Sequence, residues 1–155
     1  METEFLLSVK GVQRHDQEEP QVIELTTEAS LTGEDGVLYL RYAESALTGL
    51  EGTVTCFELH QNKVVLRRTG SVRSEMVFIP GQVHESLYDT EQGALLITIR
   101  TLELEDEMTL EGGSLHVGYS ISIEGLGMGQ IDYYLNVRRR EPARADPRED
   151  KEREK

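Results

Sequence analysis

Cysteine is nearly absent. Cys56 stands alone, which excludes an internal disulfide framework and any site built from several thiolates, and leaves it to be read as a small buried apolar side chain. Long apolar runs are missing too. Near the N-terminus the longest covers residues 5–7, with Glu2 and Glu4 before it, and nothing later approaches the roughly 18 consecutive apolar residues that a bilayer crossing needs. Neither a signal peptide nor a membrane anchor is expected, and the reading is of a soluble, cytoplasmic protein with no membrane partner. Cations are scarce over most of the chain. Residues 1–137 hold eight Lys or Arg against twenty-three Asp or Glu, and a body so acidic repels a phosphate backbone, so no nucleic-acid partner is expected. The commonest catalytic signatures are missing as well: there is no GxxxxGK[ST] loop, no HExxH pair and no GxSxG elbow, which removes the usual nucleotide, zinc-protease and α/β-hydrolase readings.

What fills the chain is alternation. Leu115, Val117, Tyr119, Ile121 and Ile123 share one parity while His116, Gly118, Ser120, Ser122 and Glu124 share the other, the period of a half-buried strand. Ile131, Tyr133, Leu135 and Val137 repeat the pattern, as do Ile23, Leu25, Thr27, Ala29 and Leu31. Further runs lie near residues 4–12, 37–42, 53–60, 63–69, 72–79, 83–90 and 94–105, about ten strands altogether. Hairpin chemistry separates them: Asp35-Gly36, Glu91-Gln92-Gly93, Gly112-Gly113 and residues 125–129 supply the positive φ that tight reversals demand. Short connections imply antiparallel neighbours, and no capped 3.6-residue stripe appears before residue 140 to build a parallel βαβ layout. Ten such strands must curl or split into two sheets, so the expected fold over residues 1–138 is all-β, an antiparallel up-and-down barrel or a strongly twisted sandwich resembling one. Residues 139–155, rich in both charges and interrupted by Pro142 and Pro147, are expected to be a disordered charged tail.

Chemistry has few footholds. Residues 125–130, GLGMGQ, fail as a dinucleotide loop because they open a strand and not a helix. The four histidines are far apart in sequence and show no metal-ligand spacing, so no metal and no cofactor are expected. His15, His60 and His116 read as surface groups, and His84, near Val83, Leu87 and Tyr88, is the least bland of the four. Glu103, Glu105, Asp106 and Glu107 read as a solvated turn following a strand. Arg73 would anchor an anionic head group if it pointed inward, and otherwise pairs with a neighbouring strand.

Residues 42–53, YAESALTGLEGT, together with residues 70–78, 84–88 with Thr90 and Gly93, and 113–119, resemble the YwiB-like family of uncharacterised bacterial proteins over residues 4–138. The resemblance implies a calycin-like antiparallel β-barrel, the broad architecture of lipocalins and fatty-acid-binding proteins. It carries no assigned reaction and no catalytic residues. Within such a barrel, residues 42–53 read first as a corner. Gly49 and Gly52 turn it, Ser45 and Thr48 bond nearby backbone, and Leu47 and Leu50 tuck under as a plug. Tyr42, Glu44 and Glu51 bracket that corner with polar groups, where a barrel mouth admits ligands. The function expected is non-enzymatic binding of a small, partly apolar or amphipathic molecule inside the barrel. Tyr42, Met76, Phe78, His84 and Tyr88 would line it, with Glu44, Glu51 and Arg73 as polar candidates. The alternative is a filled barrel that meets a protein partner or a second copy of itself.

Overall fold

The computed structural model describes residues 5–15 and 18–140, and among these nearly everything is strand. In chain order they are β1 (Phe5–Arg14), β2 (Gln21–Glu34), β3 (Val37–Ala43), β4 (Thr53–His60), β5 (Lys63–Gly70), β6 (Ser74–Phe78), β7 (Val83–Thr90), β8 (Gly93–Thr109), β9 (Gly112–Ile123) and β10 (Leu126–Arg139). A single 3₁₀ turn, Ala46–Thr48, interrupts the series between β3 and β4. Strands consecutive in sequence pair antiparallel, the exception being β6 with β7, and β1 pairs with β10, from Phe5 opposite Arg139 to Arg14 opposite Gln130. The ten-stranded sheet therefore curls until its edge strands, β6 and β7, meet. At that seam Arg73 and Asp89 exchange both backbone hydrogen bonds, at 2.9 and 2.8 Å. The Val77 N–H also donates to His84 Nδ1 at 3.4 Å. Near-closure leaves little unpaired edge, the aggregation hazard of an open sheet of this width.

Alternation decides which side chains go inside. Leu7, Leu40, Phe57, Leu66, Phe78, Ile99, Leu115, Val117 and Leu135 are almost wholly enclosed and form one cluster along the barrel axis. Phe78 lies against Tyr119 with ring centroids 4.9 Å apart at 49°, the tilted arrangement aromatic pairs favour. Cys56 is buried as well. The turns follow their residues: Asp35 and Gly36 both take positive φ, 56° and 81°, as a two-residue hairpin loop that twists with its strands requires.

One strand departs from the expectation. The acidic run at 103–107 is no turn: β8 continues to Thr109. The reason is a bulge. Thr101 and Leu102 together face Tyr119, so the register shifts between Thr101 and Glu103. Before the bulge Ile97, Ile99 and Thr101 point inward; after it Leu104 and Met108 do. The extra residue exchanges the two parities, which is what a bulge does to a strand with period two. Glu103, Glu105 and Glu107 are thereby turned to the outer face. The expected charged tail lies, from Glu141 onward, outside the described residues; Arg139 still belongs to β10, with its guanidinium 5.0 Å from the centroid of the Phe5 ring.

Candidate functional site

At the end of the barrel where β3 turns into β4, the apolar filling gives way to polar side chains. Inward parity on β5 runs Val64, Leu66, Arg68, so the last of these puts a guanidinium into the interior, only 7% exposed. Its Nε has no hydrogen-bond partner, and no carboxylate among the described residues pairs with it. Four tyrosines stand around it: Tyr133, Tyr119, Tyr42 and Tyr88. Burial works against the charge on Arg68; the upward net direction comes from negative charge on the four phenols, which appears only at alkaline pH where they ionise. Burial is also the main influence on the phenols. It pushes Tyr42 and Tyr119 well above the ordinary value, with Glu44 adding to the rise at Tyr42 and Tyr133 adding to it at Tyr119. Tyr88 is raised for the same first reason. These three phenols accordingly stay protonated at neutral pH and can donate hydrogen bonds.

A cavity of about 140 Å³ opens at this end, lined by Arg68, Tyr42, Tyr133, Glu44, Thr48 and Leu50, with Val9, Val12, Ile23, Leu25 and Ile131 on its apolar side and Gln13 and Gln21 beside them. Gly11 leaves room for one of these rings: a Cβ there would come within 3.3 Å of the Tyr133 ring. The corner at 44–52 forms one wall. Ser45 Oγ accepts the Leu47 N–H at 3.2 Å, and Gly49 closes the turn at φ 79°. Glu44 is fixed by two hydroxyl donors, Thr48 Oγ at 2.9 Å and Thr55 Oγ at 2.5 Å. Each of its oxygens thus accepts a hydrogen bond within the corner, and it forms no ion pair with Arg68.

The residues singled out by sequence scatter over three environments. Tyr42 and Glu44 line the cavity, and Tyr88 is half-buried close to Arg68. Met76 and Phe78 belong to the packed interior, and His84 sits on the β6–β7 seam as a hydrogen-bond acceptor. Glu51 is exposed. Arg73 points outward, 70% exposed, paired with Asp89 across the seam at 3.3 Å; the inward alternative is excluded because Ser74, its neighbour, takes the inner parity opposite Arg68. The expected plug is half right: Leu50 lines the cavity, whereas Leu47 is 63% exposed. Arg68 itself was passed over. Its signal was present in the Val64, Leu66, Arg68 spacing, but Val65 is apolar too, and parity alone does not choose between Arg67 and Arg68.

On the outer face of β8, β9 and β10 a second group assembles. His116 Nε2 lies 2.8 Å from Asp132 Oδ1, and Nδ1 faces Glu103 at 3.5 Å and Glu105 at 3.7 Å. Arg14 Nη1 donates to Asp132 Oδ2 at 2.8 Å.

Comparison with known proteins settles the lineage. A family model described as a domain of unknown function, DUF1934, matches residues 7–135. The chain belongs to that family. Among solved structures, the crystal structure of the ywiB protein from Bacillus subtilis is similar with a TM-score of 0.79 and 22% identity, over 88% of this chain and 92% of that one. That likeness establishes the barrel fold of this DUF1934 member and agrees with the YwiB-like resemblance of its sequence. No curated protein matches it. Among the described residues no helix is long and apolar enough to cross a membrane.

Proposed function

We propose that this DUF1934 barrel is a non-enzymatic, cytoplasmic binding protein for a small, partly apolar molecule carrying an anionic head group of the carboxylate class. The observation behind this reading is Arg68, a buried guanidinium with an unpartnered Nε on the wall of a cavity. A charge taken out of water without a partner costs several kcal/mol, and an incoming carboxylate offsets that cost through charge-assisted hydrogen bonds. Size then divides the ligand. About 140 Å³ is well below the ~300 Å³ at which whole drug-sized ligands are usually enclosed, so the head group enters while the apolar body lies across Ile23, Leu25 and Leu50 at the mouth.

Octanoate and octanol serve as a matched pair of probes for calorimetric titration. Octanoate is expected to bind, octanol at least about tenfold more weakly, and Arg68→Met to remove the difference, tenfold being about 1.4 kcal/mol. Equal binding of the two probes, or full octanoate affinity in Arg68→Met, would defeat the proposal.

A second reading, self-association, is favoured by one feature. Leu87 and Leu96 oppose each other across β7 and β8 and are 59% and 37% exposed, with Val83 and Leu102 outward on the same two strands. Light scattering over a concentration series decides whether these side chains meet a second copy.

A further inference from the structure

The outer face of β8–β10 holds a second feature, independent of the cavity. The bulge after Thr101 sets Glu103, Gly118 and Asp132 in one row across the three strands, with Glu105, His116 and Tyr134 in the next. Gly118 makes the convergence feasible, because a Cβ there would lie 2.6 Å from Asp132 Oδ1 and 3.6 Å from His116 Nε2. Any larger residue would push carboxylate and imidazole out of the hollow. The ring is held on its other side by Tyr134, stacked at 4.4 Å and 2°.

Hydrogen-bond roles then become restrictive. Asp132, with its side chain only 7% exposed, takes Arg14 on Oδ2 and presents Oδ1 to His116 Nε2. A neutral imidazole has one N–H, and donating it to Asp132 leaves the Nδ1 lone pair facing two carboxylates, acceptor against acceptors. A cation bound at Nδ1 would relieve that clash. Oxygens 3.5 and 3.7 Å from Nδ1 match the roughly 3.4 Å edge of a tetrahedron whose metal–ligand bonds are about 2.1 Å. Glu103 and His116 also belong, with Asp132, to a set whose ligand atoms lie within 4.8 Å of one another; Glu105 is outside that set.

We propose that this face binds one divalent transition-metal ion of the zinc type. His116 Nδ1 and Glu103 are the ligands, the exposed Glu105 side chain moves in as the third, water completes the shell, and Asp132 is the carboxylate behind the histidine that fixes its tautomer. A buried acid orienting a metal-bound imidazole is the usual supporting arrangement, and an imidazole with two carboxylates suits zinc better than magnesium or calcium. Glu103 and Glu105 are 62% and 74% exposed, so the ion enters from solvent; Glu105 and His116 border a groove that also holds Glu24, Glu107 and Lys10.

The full chain, stripped with chelator and titrated with Zn²⁺ by calorimetry and with Co²⁺ by visible absorption, is expected to bind one ion. His116→Ala should abolish binding, and Asp132→Asn should weaken it about 10–100-fold. Glu103→Gln sits on the surface and leaves the fold intact, so its expected loss of at least tenfold cannot be ascribed to unfolding. Failure to bind either ion, or one-to-one binding retained in both His116→Ala and Glu103→Gln, would overturn the site. So would nitrogen NMR showing both His116 nitrogens protonated with Zn²⁺ present, since a proton would then be the positive centre.

Discussion

A guanidinium enclosed by phenols is a standing cost to an empty barrel, and that cost can be measured. Arg68→Met keeps much of the volume and removes the buried charge, so the unliganded variant is expected to be more stable than the wild type by about 1–3 kcal/mol in urea unfolding. A destabilisation of similar size would mean that the charge is already satisfied. Phe57→Ala, deep in the packed half, should cost about 3–5 kcal/mol by the same measurement. The tyrosines carry a pH signature. Tyr42, Tyr88 and Tyr119 have their ionisation raised above the ordinary value of 10.0, so the folded state keeps protons that the unfolded chain gives up. Stability is therefore fully present below about pH 10 and falls as the pH rises beyond it, by about 1.4 kcal/mol per pH unit for each phenol withheld. Tyr42→Phe should flatten that alkaline loss, and phenolate absorbance should grow in step with unfolding.

Among the elements, β8 is where pattern and geometry part company. The short strands were legible because their periods are clean: β4 at 53–60 and β7 at 83–90 fall where alternation and turn residues place them. The second half of β8 was not, because a bulge reverses parity without any marker residue. Leu102 is neither glycine nor proline, and the acidic run beyond it reads as solvated in either case. The outer His116 group was hidden for the same reason, since its members belong to three strands and only the register joins them. Arg68 was obscured by Val65, which blurs the inward parity of β5. Deleting Leu102 tests the bulge directly. Removing the extra residue restores simple alternation from Thr101 through Glu103 to Leu104, so the barrel should still form, with a far-ultraviolet spectrum like that of the wild type. Glu103 loses the local kink that aims it, and Zn²⁺ affinity should fall at least tenfold. Loss of the fold on deletion would show that the bulge serves closure instead.

For the molecule as a whole, the weak line is the seam. Along β1 and β10 ten residue pairs are in register, whereas β6 and β7 are joined by one backbone bridge and the His84 acceptor. Local opening should begin there, and hydrogen exchange is expected to be faster at β6 amides than at the middle of β9, by an amount that grows as His84→Ala removes the side-chain bond. Uniform protection around the barrel would count against this.

The ladder between β1 and β10 has a different consequence, for connectivity. Because Phe5 lies opposite Arg139, a short peptide joining these ends would make just another hairpin, and new termini cut within residues 79–82 would fall at the seam. Such a rearranged chain should reach the same barrel, now with its two outermost strands free to part, giving a gated version of the protein in which the order of covalent linkage, and not the set of paired residues, governs how easily the wall opens.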